Sequence, residues 1–213
     1  MRCGSLPTLG TVDVVNDNGW LRMIEENPGH SEWYIERFRT MAAEGHDLGG
    51  EARFVDAMCP RAAWILDAGC GPGRVGGRLA TLGHHVVGVD IDPVLIAAAE
   101  RDHPGATWIV SDLAALDLAS YALPDSYDVI VSAGNVMPFL DPATRRDVLD
   151  RLSSNLAPDG RLVVGFGAGR GYEFDDFFAD SKAVGLHEQL RLSTWDLRPF
   201  ERASDFLVVV LAR

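Results

Sequence analysis

The residues best suited to chemistry in this chain stand together in one short segment. Asp67 follows an apolar run, and glycines occupy the alternate positions Gly69, Gly71 and Gly73. Glycine has no Cβ, so a loop of this composition turns tightly and lets its backbone approach a ligand closely. The apolar run suits a buried parallel strand, and a helix that follows the loop would present free N–H groups and its positive dipole end. The segment therefore predicts a loop that binds a nucleotide-containing cofactor.

Two classes of cofactor use such a loop, and the position of the acid distinguishes them. Residues 71–76 match the pattern G-x-G-x-x-G of dinucleotide sites, and Asp90 follows about twenty residues after its start, as that pattern expects. However, Asp67 precedes the first glycine, where its carboxylate would repel a pyrophosphate at the helix terminus and attract a cationic ligand. The full pattern D-x-G-x-G-x-G favours a cofactor that carries positive charge.

This pattern resembles the first motif of the class I, Rossmann-like S-adenosylmethionine-dependent methyltransferases, with Asp67, Gly69, Gly71 and Gly73 at the motif's positions. S-adenosylmethionine carries a sulfonium and an ammonium group and no phosphate. The resemblance covers residues 62–213 and implies methyl transfer to a small-molecule acceptor, with S-adenosylhomocysteine as the product. Two alternatives stay open: an NAD(P)-dependent oxidoreductase, and a regulatory domain that binds S-adenosylmethionine without catalysis.

Residues at the ends of further predicted strands would complete the cofactor site. Asp90 ends the second strand, at the sheet edge where ligands bind, so its carboxylate should accept hydrogen bonds from both ribose hydroxyls. In the family that the sequence resembles, an acid after the third strand binds the adenine amino group, and Asp112 stands there. Backbone carbonyls after the fourth strand contact the cofactor's ammonium group. The resemblance implies the following cofactor-binding residues: Asp67, Ala68, Gly69, Gly71, Gly73, Asp90, Ile91, Ser111, Asp112, Leu113, Ala133 and Gly134.

The acceptor pocket is expected among the helices before the first strand, the 135–139 loop and the 167–172 loop. The candidate acceptor-binding residues are Tyr34, Arg37, Asn135, Met137, Arg170 and Tyr172. Because holding a nucleophile in line with the methyl group accounts for much of the rate, no catalytic residue is assigned. A hydroxyl acceptor would require a general base. The candidate bases are His30, Tyr34, His46 and His187.

The rest of the core sequence predicts the elements that position these residues. From Trp64 onward, strands alternate with helices, which is typical of a parallel sheet built from right-handed βαβ units. The predicted strands cover residues 64–67, 85–90, 107–110, 127–132, 161–166, 186–194 and 206–211, and the predicted helices cover 74–82, 93–99, 141–156 and 172–182. The last two strands have no helix between them, so they should pair as an antiparallel hairpin. The resemblance implies a three-layer α/β fold with strand order 3-2-1-4-5-7-6 and strand 7 antiparallel.

The segment before the first strand has a different character. Residues 1–18 are polar and rich in turn-forming types, and they predict a loose N-terminal leader. Residues 19–61 predict a helical cap, with helices over 31–43, capped by Ser31, and over 50–58. We expect the cap and the core over 62–213 to form one structural domain.

Composition argues against several other classes of protein. The 213 residues are 47% hydrophobic and carry a formal net charge of -12, which supports one globular core and disfavours nucleic-acid binding. The three cysteines lack C-x-x-C spacing, so neither a disulfide framework nor a zinc site is expected. The fourth strand lacks the acid cluster of magnesium-dependent relatives, and no other metal is predicted. We expect a cytoplasmic enzyme without a nucleic-acid or membrane partner, and the oligomeric state is open.

Overall fold

The structure is a computed structural model that describes residues 17–213. All but the last two positions of the predicted leader lie outside these residues. The strands are β1 (Trp64–Ala68), β2 (His85–Asp90), β3 (Thr107–Val110), β4 (Tyr127–Ser132), β5 (Leu156–Gly167), β6 (His187–Leu192) and β7 (Phe206–Ala212). They form a seven-stranded sheet in the order β3-β2-β1-β4-β5-β7-β6, in which β7 runs antiparallel to β5 and β6. The predicted fold class is confirmed.

The helices are α1 (Gly19–Glu26), α2 (His30–Ala43), α3 (Gly50–Met58), α4 (Arg74–Thr81), α5 (Pro93–Asp102), α6 (Val136–Phe139), α7 (Arg145–Ser154) and α8 (Phe174–Ala183). Two short 3-10 helices, Leu113–Ala115 and Leu118–Tyr121, follow β3. Within the described chain, no helix is long and apolar enough to cross a bilayer.

Alternate side chains along β1 enter two different core layers. Ile65 packs in the layer that includes α3 and α4, whereas Leu66 packs in the layer that includes α7. Both side chains are fully buried, as expected of a central parallel strand that is covered on both faces. Because β1 pairs with β2 on one side and β4 on the other, the strand order reverses here and opens a crevice at the carboxyl ends of the strands.

The first helix is a feature that the sequence pattern does not predict as a separate element. The side chain of Asn18 accepts hydrogen bonds from the backbone N–H groups of Trp20 and Leu21, and it is buried. Asn18 is therefore the N-cap of α1 and not part of a loose leader. The expected N-cap of α2 is also wrong, because Gly29 occupies that position. Ser31 lies inside the helix and donates its hydroxyl to Asp92.

Several boundaries in the second half differ from prediction. Residues 158–160, which fall between the predicted 141–156 helix and the predicted 161–166 strand, lie within β5, where the pairing with β4 shifts register between Tyr127 and Val129. These residues thus form an irregular stretch inside a longer strand. Helix α7 begins at Arg145 and not at residue 141, because Asp141 accepts a hydrogen bond from Ala143 N and closes a turn.

Candidate functional site

A cavity of about 520 Å³ lies at the carboxyl ends of the strands, beneath α1 and α2. Residues that follow β1, β2, β3, β4 and β5 line it on one side, and residues of the two cap helices line it on the other. This is the place where α/β sheets bind ligands, since the loops there diverge to either side of the crevice. The cavity has the size of a typical small-molecule site.

The three alternating glycines differ in what a side chain at each position would contact. Gly69, Gly71 and Gly73 all have positive φ angles, which residues with a Cβ adopt at a cost. A Cβ on Gly69 would lie 2.4 Å from Val136 Cγ2, and a Cβ on Gly73 would lie 2.9 Å from the Ala99 Cβ. A Cβ on Gly71 would meet only the Tyr34 ring, at 3.7 Å. The loop therefore packs tightly at both ends and leaves open space above its middle glycine.

The carboxylate of Asp90 is fixed from two sides. Its Oδ2 accepts a hydrogen bond of 2.8 Å from Gly71 N, and its Oδ1 accepts one of 3.0 Å from Asp92 N. Each carboxylate oxygen has two lone-pair sites, so both can accept a further donor from the cavity. Burial raises the pKa of Asp90 to about 6. The chain thus holds a pre-oriented double acceptor beside the glycine loop.

Asp67 has a structural role in addition to its place in the cavity wall. Its side chain is 2% exposed and accepts a hydrogen bond of 2.8 Å from Gly76 N in α4. Burial raises its pKa to about 7. A positive ligand in the cavity would favour the ionised carboxylate, which is the physical link between this acid and a cationic cofactor.

The residues after β3 form another part of the cavity wall. Ser111, Asp112 and Leu113 all line it, together with Ile91 from the loop after β2. Asp112 Oδ1 accepts a hydrogen bond from Ala114 N and so caps the first 3-10 helix. This bond holds the acid at the edge of the cavity.

Residues after β4 bring the backbone into the cavity from the opposite side. Ala133 and Gly134 line it, and both Gly134 and Asn135 have positive φ angles. The Asn135 Oδ1 accepts a hydrogen bond of 2.8 Å from Gly167 N, which ties the end of β4 to the end of β5. Ala68, in contrast, is fully buried in the core layer and does not line the cavity.

Aromatic side chains of the cap cover the cavity. Tyr34 packs edge-on against Trp20 and Phe38, with ring centroids 5.3 and 5.0 Å apart. Its hydroxyl would lie 3.9 Å from a Cβ on Gly134, and burial raises its pKa. Arg37 lies on the same helix, with its Cζ 5.8 Å from the Phe38 ring centroid. Tyr34 therefore faces the predicted cofactor loop, and Arg37 lines the same cavity.

Arg74 and Trp20 line the cavity but were not among the predicted site residues. The guanidinium of Arg74 makes two hydrogen bonds to Glu51, of 2.8 and 2.5 Å, and one of 2.7 Å to the carbonyl of Leu48. These bonds fasten α3 to the start of α4. The position of Arg74 directly after the glycine loop could have marked it as a site residue. The sequence does not show, however, that its partner lies in the cap.

Two predicted acceptor residues are not in the cavity wall. Tyr172 is 1% exposed, and its hydroxyl donates to Asp180 Oδ2 at 2.8 Å. Arg170 lines the cavity, whereas Tyr172, two residues later, belongs to the core. Met137 is also 1% exposed and belongs to the core layer around α7. Their assignment to the acceptor pocket was wrong.

The candidate histidine bases differ in their distance from the cavity. His30 lines the cavity and packs edge-on against the Trp20 ring, with centroids 5.1 Å apart. His46 is exposed beside Glu44, and His187 lies on the edge strand β6, so neither reaches the cavity. Among residues 17–213, no group of three or more His, Cys, Asp or Glu side chains is placed to hold a metal ion.

The strand order with antiparallel β7 and the cavity at the strand-order reversal define a Rossmann-like methyltransferase domain. The family described as a methyltransferase domain matches residues 65–160. A solved TehB-like SAM-dependent methyltransferase from Corynebacterium glutamicum is 49% identical, with a TM-score of 0.83 over 88% of this chain and 100% of that one. The chain belongs to the class I S-adenosylmethionine-dependent methyltransferases, and S-adenosylmethionine is its cofactor. The oxidoreductase alternative is not supported.

More distant relatives also carry the name methyltransferase. The magnesium protoporphyrin IX methyltransferase of Synechocystis, solved with bound SAM, is 18% identical, with a TM-score of 0.66 over 95% of this chain and 100% of that one. The ubiquinone biosynthesis O-methyltransferase of Aeromonas salmonicida is 28% identical over 145 residues, which are 61% of this chain and 59% of that protein. The chain thus matches less than two thirds of that relative's length.

The residues of the cavity fit the cofactor. Gly71 leaves a cradle that a Cβ would enter, beside the doubly held carboxylate of Asp90. Three acids, Asp67, Asp90 and Asp112, line the cavity. This distribution suits an ammonium, a sulfonium and two ribose hydroxyls better than it suits a pyrophosphate.

Proposed function

We propose that this chain transfers the methyl group of S-adenosylmethionine to a small-molecule acceptor. One observation carries the proposal: the glycine loop, the acids at the strand ends and the aromatic cap line the same cavity. A methyl donor and an acceptor would therefore lie side by side, shielded from bulk water by α1 and α2. Proximity of this kind supplies a large part of the rate in bimolecular reactions.

Within this proposal, the cofactor is held by residues from four strand ends. Asp90 accepts the ribose hydroxyls with the lone pairs that its backbone donors leave free. Asp112 and the backbone of Leu113 bind the adenine, against which Ile91 packs. The carbonyls of Ala133 and Gly134 accept the ammonium group, and Asp67 lowers the free energy of the positive charge through space.

The cofactor supplies an electrophilic methyl group on a sulfonium. The residues of the chain orient the acceptor for in-line displacement and exclude water. Tyr34 and Arg37 act from the cap, and Asn135 and Arg170 act from the ends of β4 and β5. No general base is required when the acceptor presents a free lone pair, and His30 is the histidine placed to serve a hydroxyl acceptor.

The same proposal includes the cellular setting of the enzyme. The net charge of -12 disfavours a nucleic-acid substrate. Cys59 and Cys70 are free thiols, and burial raises the pKa of both, which suits a reducing cytoplasm. We propose a cytoplasmic enzyme in which the cap and the core act as one domain.

Thermal denaturation with two cofactors tests the proposal. S-adenosylhomocysteine at about one hundred times its dissociation constant should add roughly 2.7 kcal/mol to the free energy of unfolding and raise the melting temperature. NADH at the same concentration should leave the melting temperature unchanged. Stabilisation by NADH alone would refute the proposal. Binding of S-adenosylmethionine without its consumption over a broad pool of small-molecule acceptors would instead support a regulatory domain.

A further inference from the structure

The arginines of the cavity differ in what they bind. Arg37, Arg74 and Arg170 all line the cavity. Arg74 donates three hydrogen bonds, two to Glu51 and one to a backbone carbonyl, and Arg37 lies near the rings of Trp33 and Phe38 on its own helix. Arg170 makes no hydrogen bond, ion pair or ring contact with any residue in the described range 17–213. Its guanidinium therefore presents all its donors to the cavity and to solvent.

The neighbour of Arg170 is also a donor. Asn135 Oδ1 accepts the hydrogen bond from Gly167 N, and because a backbone N–H can only donate, this bond fixes which end of the amide is oxygen. The two protons on Asn135 Nδ2 are left for another partner. Asn135 lines the cavity, so its free donors are available to a ligand.

Gly167 brings the two side chains together. A Cβ at this position would lie 3.2 Å from Arg170 Nε and 3.5 Å from Asn135 Oδ1. A larger residue at position 167 would fill the space beside both groups. The side chains of Arg170 and Asn135 therefore both lie beside the end of β5, where a guanidinium that is free to donate suits an oxygen-bearing anion.

The charge of the cavity changes along its length. Asp67, Asp90 and Asp112 lie at or just beyond the carboxyl ends of β1, β2 and β3, whereas the free donors of Asn135 and Arg170 lie after β4 and β5. The acidic part suits the donor groups of the cofactor.

We propose that the methyl acceptor carries an oxyanionic group and that Arg170, assisted by Asn135, binds it. This inference rests on the proposed function, because it places the acceptor beside a bound cofactor. The shared chemistry is an anionic group with two or more oxygens. A carboxylate on an organic acceptor and an inorganic oxyanion both satisfy it, and different arms of the test distinguish them.

The test measures binding to the protein saturated with S-adenosylhomocysteine, by titration calorimetry, and requires no acceptor turnover. The probes are benzoate, its neutral isostere benzamide, and inorganic phosphate. Benzoate should bind wild type at least about tenfold more tightly than benzamide, because charged hydrogen bonds are stronger than neutral ones. Tighter binding of phosphate than of benzoate would assign the site to an inorganic oxyanion.

Variants separate the role of Arg170 from general charge effects. Arg170→Gln should weaken binding of the preferred anion by about tenfold or more, and Arg170→Lys should restore part of it, since lysine keeps the charge without the planar fork. Arg202→Gln is the matched control, because Arg202 is exposed in the turn before β7 and does not line the cavity. Arg170→Gln and Arg202→Gln should both bind S-adenosylhomocysteine as wild type does.

Three results would overturn the inference: equal binding of benzoate and benzamide, equal effects of Arg170→Gln and Arg202→Gln, or no binding of either anion to wild type. Failure of wild type to bind S-adenosylhomocysteine would instead refute the proposed function.

Discussion

The indole Nε1 of Trp20 in α1 donates a hydrogen bond of 2.9 Å to the carboxylate of Asp92 at the start of α5. Asp92 is 1% exposed and also accepts hydrogen bonds from Ser31 in α2 and from Val94 N. Its own backbone N–H donates to Asp90. One short loop thus anchors the first two cap helices and orients Asp90 in the cavity wall, so the position of the cap and that of Asp90 are linked.

Loss of the Trp20 bond should destabilise the protein. In Trp20→Phe the ring is kept while Asp92 loses one buried donor, so the free energy of unfolding should fall by about 1.5–3 kcal/mol in urea denaturation. Trp33→Phe is the control, because Trp33 is 55% exposed and its substitution should change stability by no more than about 0.5 kcal/mol. Similar effects of the two substitutions would show that the bond does not hold the cap.

Substitution of Asp90 should weaken cofactor binding. Asp90→Asn keeps the size of the side chain but replaces a charged acceptor of two hydroxyls, so the dissociation constant of S-adenosylhomocysteine should rise by about tenfold or more. Calorimetry measures this, and circular dichroism checks that the fold is retained. Asp159→Asn, an exposed acid outside the cavity wall, should bind as wild type does. Unchanged affinity in Asp90→Asn would remove Asp90 from the site.

The glycine at position 69 should tolerate no side chain. Gly69→Ala combines a positive φ with a Cβ placed 2.4 Å from Val136 Cγ2, so it should destabilise the fold and abolish tight cofactor binding. Gly83 also has a positive φ, but a Cβ there would have no atom within 4 Å. Gly83→Ala should therefore lower the free energy of unfolding only by the cost of the left-handed backbone conformation, about 1–2 kcal/mol.

A double variant isolates the clash at position 69. Val136→Ala combined with Gly69→Ala removes the two closest contacts, with Val136 Cγ2 and Cγ1, but leaves the Cβ of residue 136 at 3.0 Å and the backbone strain. The pair should therefore show a favourable coupling energy of at least about 0.5 kcal/mol. Strict additivity of the two substitutions would mean that the Val136 contact does not determine the choice of glycine.

Cofactor binding and stability should depend on pH in opposite directions. The pKa of Asp67 is raised from 3.8 to about 7, and that of Asp90 to about 6. The folded protein therefore binds more protons than the unfolded chain between about pH 4 and 7, and the contribution of these acids to stability is lost as pH rises through this window. S-adenosylmethionine, as a cation, favours the ionised acids, so its affinity should increase from pH 5.5 to 7.5.

The variant Asp67→Asn isolates this effect. It leaves His103 unchanged, whose lowered pKa acts on stability in the opposite direction near the same pH. The variant should show a flatter increase in cofactor affinity with pH than wild type, measured by calorimetry in matched buffers. An identical pH profile in wild type and variant would mean that Asp67 does not titrate on binding.

The sequence predicts the fold and the cofactor loop because their signals are local. The alternation of strands and helices is visible in short windows, and the spacing of Asp67, Gly69, Gly71 and Gly73 fits one backbone path. The structure gives the reason for each glycine, as the contact of Gly69 with Val136 illustrates. Asp90 is predictable in place, since the end of a parallel strand meets the crevice.

The acceptor side is less predictable because it depends on contacts between distant residues. Trp20 and Asp92 are 72 positions apart, and neither Arg74 nor Glu51 reveals its partner through spacing. Tyr172 and Arg170 are two positions apart, yet Tyr172 is buried in the core and Arg170 lines the cavity. Sequence spacing alone does not distinguish these two environments.

The most direct test follows a labelled methyl group. The protein is incubated with S-adenosylmethionine labelled in its methyl group and with a deproteinised, nucleic-acid-free extract of small metabolites, and the label is located by chromatography. We predict that the label moves to a small molecule in step with formation of S-adenosylhomocysteine, and that Asp90→Asn slows this transfer by about tenfold or more at limiting cofactor. Binding of S-adenosylmethionine with no transfer of the label to any small molecule would contradict the account.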